Sequence, residues 1–312
     1  MDVPERTGFL AAVAAGVTWG FLGFFVRSMS SAGFTPVQMT CLRYIVVFAV
    51  FLAFILAHHR RMLIVSRRML GVFAVMGVVG NLINSTCYFE AMERIPISLA
   101  TIIQYLMPFM VVLASVPLFG ERITRDKGVS LVVAFIGCIL CTGIASSDVP
   151  LDAVGIVLAV ASAVFYGTYT LCSRKAVGEG YSTPTIMLYS SLFCFVFALP
   201  FSDPAEMASL TFSSAGNLLM VLGLGVLVTL VPFALYNVGI GRIGAGRAAI
   251  ITYTEPMTAA AVGLALYGEP VTVWTVIGMA MILVSIVVLN RSAVDGPSEG
   301  RHHRAGQNRY PF

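Results

Sequence analysis

Residues 95–124 read IPISLATIIQYLMPFMVVLASVPLFGERIT, and residues 243–272 read IGAGRAAIITYTEPMTAAAVGLALYGEPVT; the two align without a gap at an offset of 148. They share Ile95/Ile243, Ala100/Ala248, Ile102/Ile250, Tyr105/Tyr253, Pro108/Pro256, Gly120-Glu121/Gly268-Glu269 and Thr124/Thr272. The same register joins Pro36 to Pro184 and Tyr88 to Tyr236, and a one-residue slip joins Gly8 to Gly155, Trp19 to Tyr166 and Gly20 to Gly167. The chain is a unit of about half its length written twice. Both copies are strongly apolar, so the precedent is the internal repeat of membrane carriers rather than the short period of a solenoid.

Composition places the chain in a bilayer. Of 312 residues, 58% are hydrophobic and only 11% charged, with a mean hydropathy of +0.90. That is too little polar surface to cover a soluble globule of this size. Crossing about 30 Å of hydrocarbon takes roughly 20 helical residues. Apolar stretches of that kind fall at 8–27, 37–57, 70–91, 97–118, 129–146, 153–173, 185–201, 216–240, 246–267 and 273–290. The runs are continuous rather than alternating, which excludes strands. The expected fold class is an all-α integral membrane protein of ten transmembrane helices, five per copy. The expected domains are residues 1–146, 147–290 and a disordered cytoplasmic tail at 291–312.

The net charge of +4 is topological rather than a sign of nucleic-acid binding. With the N-terminus in the cytoplasm, the inside segments carry Arg60, Arg61, Arg67, Arg68, Arg122, Arg125, Lys127, Arg174, Lys175, Arg242 and Arg247, besides Arg6 and the basic tail. Only Arg27 and Arg94 fall outside, and Arg43 falls within a span. Both termini are therefore expected in the cytoplasm of an inner (plasma) membrane. Five spans per copy invert the second copy relative to the first, and inverted repeats place a site near mid-membrane at their pseudo-two-fold axis. The first span resembles a signal peptide in length, but Asp2 and Glu5 spoil a basic leader, so it is read as retained.

The chemistry-bearing signatures of enzymes are missing: there is no phosphate loop, no H-E-x-x-H and no G-x-S-x-G, and the four histidines lie in cytoplasmic segments. Cys138 and Cys141 have C-x-x-C spacing without a second cluster, so the six cysteines are read as small apolar residues, with no metal, cofactor or structural disulfide expected. A solute pathway or a non-transporting scaffold or sensor remains.

Charges inside a membrane are expensive and need reasons. Arg43 and Glu90 lie at similar depth in spans 2 and 3. Arg43 either snorkels while Glu90 pairs with Arg94, or the two pair to brace the outer mouth. Glu255 sits nine residues into span 9, near the midplane, directly before Pro256. A proline there leaves a carbonyl one turn earlier without its donor, so Glu255 is either a contact for a proton or cationic group, or a protonated residue packed in the bundle. Its counterpart is Met107. Trp19, Tyr166, Asn84, Tyr88, Gln104, Tyr105, Tyr236 and Tyr253 lie at comparable depth and are candidate cavity residues for a small organic solute. Each also reads as an interhelical contact, since polar side chains commonly join membrane helices. Pro108 and Pro256 mark the helices expected to kink.

These features together resemble the EamA-type branch of the drug/metabolite transporter superfamily. The residues carrying the resemblance are the Y-x-x-P…G-E-x-x-T pattern at Tyr105–Thr124 and Tyr253–Thr272, the Trp19-Gly20 and Tyr166-Gly167 pairs, and Leu42-Arg43. The resemblance covers about residues 8–290 and implies a ten-helix carrier with a central cavity lined by helices 1, 3, 4, 6, 8 and 9. It implies export of amino acids or related metabolites by alternating access without ATP. Glu255-Pro256 matches the family's E-P in helix 9, whereas the first copy has Met107-Pro108, and Ser191 stands where Arg43 would recur. The expected partners are a small organic solute, the lipid bilayer and a coupling proton, with the unit working as a monomer or homodimer. An uptake carrier or facilitator is the alternative within transport.

Overall fold

A computed structural model describes residues 3–95, 97–141, 152–267 and 272–295. All regular structure among them is helical. In chain order the helices are α1 Val3–Trp19, α2 Leu22–Ser31, α3 Pro36–His58, α4 Arg67–Val75, α5 Asn84–Arg94, α6 Ile97–Gln104, α7 Met107–Phe119 and α8 Arg125–Cys141. There follow α9 Ala153–Gly178, α10 Thr183–Ala198, α11 Pro204–Phe212, α12 Ala215–Gly225, α13 Val231–Ile243, α14 Ala245–Ile251, α15 Thr254–Tyr267 and α16 Val273–Asp295. Merged across their interruptions, they give eight helices long and apolar enough to cross a membrane, from Val3–Ser31 to Ala245–Leu266, plus the shorter apolar stretch Val273–Leu289. The stretch read at 129–146 corresponds to α8 as far as Cys141; residues 142–146 lie outside the described residues, as do Gly268-Glu269 and residues 296–312 of the tail. Helix α16 runs to Asp295, so the first five residues of the expected tail are helical.

Several spans break at the same depth in the two copies, and the breaks position the site. α6 gives way to α7 at Tyr105–Leu106, and α14 to α15 at Thr252–Tyr253, each just before the proline at 108 or 256. Pro256 has no N–H for the carbonyl of Thr252, which accepts instead from the Glu255 amide at 2.9 Å, tightening the turn. The spans Arg67–Met92 and Ala215–Ile243 each contain a π-helical segment, Met76–Ile83 and Val226–Leu230. Shifted by 148, the second falls inside the first. Such segments frequently occur at functional sites.

Close packing depends on glycine where backbones cross. A Cβ on Gly137 of α8 would stand 2.7 Å from the carbonyl oxygen of Gly278 on α16, so only hydrogen fits there. A Cβ on Gly80 would press on Tyr169 at 2.9 Å, fixing the first π segment against α9.

Candidate functional site

An aromatic wall forms where α1, α9 and α13 meet. The Trp19 ring is 5% exposed and meets the edges of Phe233 at 5.1 Å, Tyr236 at 5.4 Å and Tyr166 at 6.3 Å. Behind it, the Tyr236 hydroxyl pairs with Thr170 at 3.1 Å. The Asn237 amide donates to the Tyr169 hydroxyl at 3.1 Å and its oxygen accepts from Ser173. Trp19, Tyr236 and Tyr253 are thus packed supports, buried against protein rather than presented to open space. Edge-to-face aromatic pairs contribute about 0.5–1.5 kcal/mol beyond their buried area, which makes this wall rigid.

The open face belongs to other side chains. Asn84, Tyr88, Gln104, Tyr166 and Glu255 are half-buried. The Tyr88 hydroxyl pairs with Thr101 at 2.8 Å, and the Gln104 amide donates to Asn84 at 3.3 Å, tying α5 to α6. Glu255 lies in the first turn of α15, where a helix N-terminus favours negative charge. Its carboxylate is within electrostatic reach of Tyr88 on α5, Tyr105 at the α6–α7 break and Tyr166 on α9. Among the described residues it has no hydrogen-bond or ion-pair partner. Tyr105 and Tyr253 touch beneath it, with ring centroids 5.6 Å apart and the Tyr253 hydroxyl donating to the Tyr105 carbonyl at 2.7 Å.

The Arg43–Glu90 pair is not formed. The guanidinium of Arg43 is 8% exposed and donates to Ser85, close to the Tyr44 ring at 4.9 Å. Glu90 accepts from Arg94 at 2.9 and 3.1 Å in an exposed i, i+4 pair, and Arg94 also reaches Asp152 at 3.8 Å. Ser85 and Glu90 are five residues apart on one helix, roughly 7.5 Å of rise, and a carboxylate near the span end finds its own neighbour first. Asn81, in the first π segment, is buried with both amide atoms unpartnered.

A second polar centre was invisible from its parts. Gly120 caps α7 with φ of +67°, a left-handed conformation that glycine adopts without strain, and the reversal turns Glu121 inward. There the Glu121 carboxylate accepts from Lys127 at 3.0 Å and from the Ala245 backbone amide at 3.1 Å, with Arg174 Nε at 3.7 Å. Glu121 and Lys127 are both nearly fully buried. Gly244 and Gly246 permit this approach, since a Cβ on either would come within 3.2 Å of the pair. The network ties residues of the first copy to α9 and α14 of the second. The recurrence of Gly-Glu at 268–269 was the signal for it.

A helical chain with spans long and apolar enough to cross a membrane, and with an aromatic cluster and a carboxylate drawn from two copies of one unit, fits the transporter class. The EamA-like transporter family matches residues 6–143 and again residues 153–291, and the chain belongs to that family. An uncharacterized transporter of Archaeoglobus fulgidus is 29% identical over 91% of this chain and 96% of its own length. The pseudopaline exporter CntI of Pseudomonas aeruginosa is 25% identical over 92% and 97%. The uncharacterized inner membrane transporter YicL of Salmonella typhimurium is 24% identical over 91% and 95%. A crystal structure superposes with a TM-score of 0.76 over 93% of this chain and 99% of that one at 20% identity, a likeness of fold.

Proposed function

We propose that the chain is a secondary transporter that exports a small organic metabolite by alternating access, using ten spans arranged as two inverted five-helix repeats at 1–146 and 147–290, with both termini cytoplasmic. The observation that carries this reading is Glu255: a carboxylate without a partner among the described residues, at a helix break, within electrostatic reach of tyrosines from both copies. Such a group contacts either a cationic part of the solute or a coupling proton.

Reciprocal contacts support the two-fold relation. A Cβ on Gly8 would lie 3.1 Å from Ile243, and one on Gly155, the counterpart of Gly8, 2.8 Å from Ile95, the counterpart of Ile243. Tyr105 meets its counterpart Tyr253, and Trp19 its counterpart Tyr166. The Glu121 network joins the two copies at the basic end of the bundle and must part for a solute to cross that side in either direction. The kinship with an exporter favours export.

The test compares extracellular small-molecule profiles of cells expressing the wild type and a Trp19→Ala, Glu255→Gln variant at equal membrane abundance. A metabolite enriched only by the wild type is expected and names the substrate class. Identical profiles would move the reading to uptake, facilitation or a non-transporting role.

A further inference from the structure

A cleft of about 790 Å³ lies away from Glu255, between α4, the end of α7 and the end of α9. Arg68, Arg174 and Lys175 line it together with Val72, Leu118 and Phe119, and no carboxylate does. Arg68 and Lys175 have no ion-pair or side-chain hydrogen-bond partner among the described residues. Arg174 is shared, facing Glu121 at 3.7 Å and the Ile240 carbonyl at 3.5 Å. The cleft therefore combines uncompensated positive charge with apolar walls, and Leu118 stands 60% exposed at its edge.

We propose that this cleft holds an anionic glycerophospholipid, its phosphate between Arg68 and Lys175 and its upper acyl chain against Val72, Leu118 and Phe119. Charge complementarity selects an anion, and basic pockets between membrane helices are recognised by anionic headgroups. The apolar walls select a lipid over a free anion, which has nothing to lay against them. Because Arg174 belongs to both cleft and Glu121 network, a headgroup here adds a negative charge beside the contact that closes this end of the bundle.

Native mass spectrometry of the full chain, released from detergent with phosphatidylglycerol, phosphatidylcholine or inorganic phosphate, tests the assignment. Phosphatidylglycerol is expected to form adducts preferred over phosphatidylcholine by on the order of thirtyfold, the equivalent of about 2 kcal/mol for two basic residues at an anionic surface. The preference should be lost in Arg68→Gln/Lys175→Gln and kept in Arg60→Gln/Arg61→Gln, which removes equal charge outside the cleft. Equal loss in both variants would mean diffuse surface attraction and overturn the site. So would the absence of any headgroup preference in the wild type, a measurement that needs no variant to fold. Displacement of phosphatidylglycerol by millimolar inorganic phosphate would reassign the cleft to a soluble anion and end the lipid proposal.

Discussion

Tyr253 donates its hydroxyl to the backbone carbonyl of Tyr105 at 2.7 Å, although the two are counterparts 148 residues apart in the duplicated sequence. The bond joins one broken helix to the other at the break, where a carbonyl freed from regular helix geometry needs a donor. Tyr253→Phe removes the donor and leaves the carbonyl dry. Loss of about 0.5–1.5 kcal/mol is expected, read as a lower unfolding midpoint in detergent. Tyr105→Phe keeps the carbonyl and should be close to neutral; equal losses in the two variants would mean that the stability does not come from the Tyr253–Tyr105 bond.

The α8–α16 crossing makes a sharper steric prediction. Gly137→Ala puts a methyl 2.7 Å from the Gly278 carbonyl oxygen and should destabilise by about 1–3 kcal/mol, as overpacking does. Gly128→Ala on the same helix meets nothing within 4 Å and should gain up to about 1 kcal/mol from helix propensity. Thermal unfolding of the two variants side by side separates packing from propensity. Two equal shifts would mean that the crossing is looser than drawn.

What the sequence disclosed and what it withheld divide along a physical line. The duplication, the apolar spans and the prolines at the breaks are local signals, and Glu255 was conspicuous because a charge in hydrocarbon always is. Depth along a helix followed from counting residues. Rotation about the helix axis did not, which is why the sequence left Trp19 and Tyr236 open between cavity lining and interhelical contact; both are buried, while Tyr88 and Tyr166 keep exposure. The π segments have no residue signature of their own. Partners distant in sequence, such as Ser85 for Arg43 and Ala245 for Glu121, required the packing of other helices to be known.

Glu121 and Lys127 form a buried pair, and breaking one partner of such a pair costs about 3–5 kcal/mol because the other is left charged and dry. Glu121→Gln should therefore destabilise strongly, with Lys127 stranded beside Gly246. Glu121→Gln/Lys127→Met removes both charges and is expected to be more stable than Glu121→Gln alone. Unfolding midpoints of the two singles and the double close the cycle. A double variant as weak as the sum of the singles would show that the two side chains act independently.

Glu255→Gln keeps the shape of the side chain and removes its charge at a carboxylate within electrostatic reach of Tyr88, Tyr105 and Tyr166. A charge-assisted contact contributes about 1.5–3 kcal/mol, so transport of the exported compound should fall roughly 10- to 100-fold while helix content and membrane abundance stay at wild-type levels. Glu255→Asp, which retains the charge on a shorter stem, should recover part of the rate. The pH profile then divides the two roles open to this carboxylate. If it carries the coupling proton, wild-type transport varies with pH and the Gln variant is flat. If it only holds a cationic group of the solute, the Gln variant keeps a pH dependence set elsewhere and loses apparent affinity instead. Unchanged transport in Glu255→Gln would remove this residue from the pathway altogether.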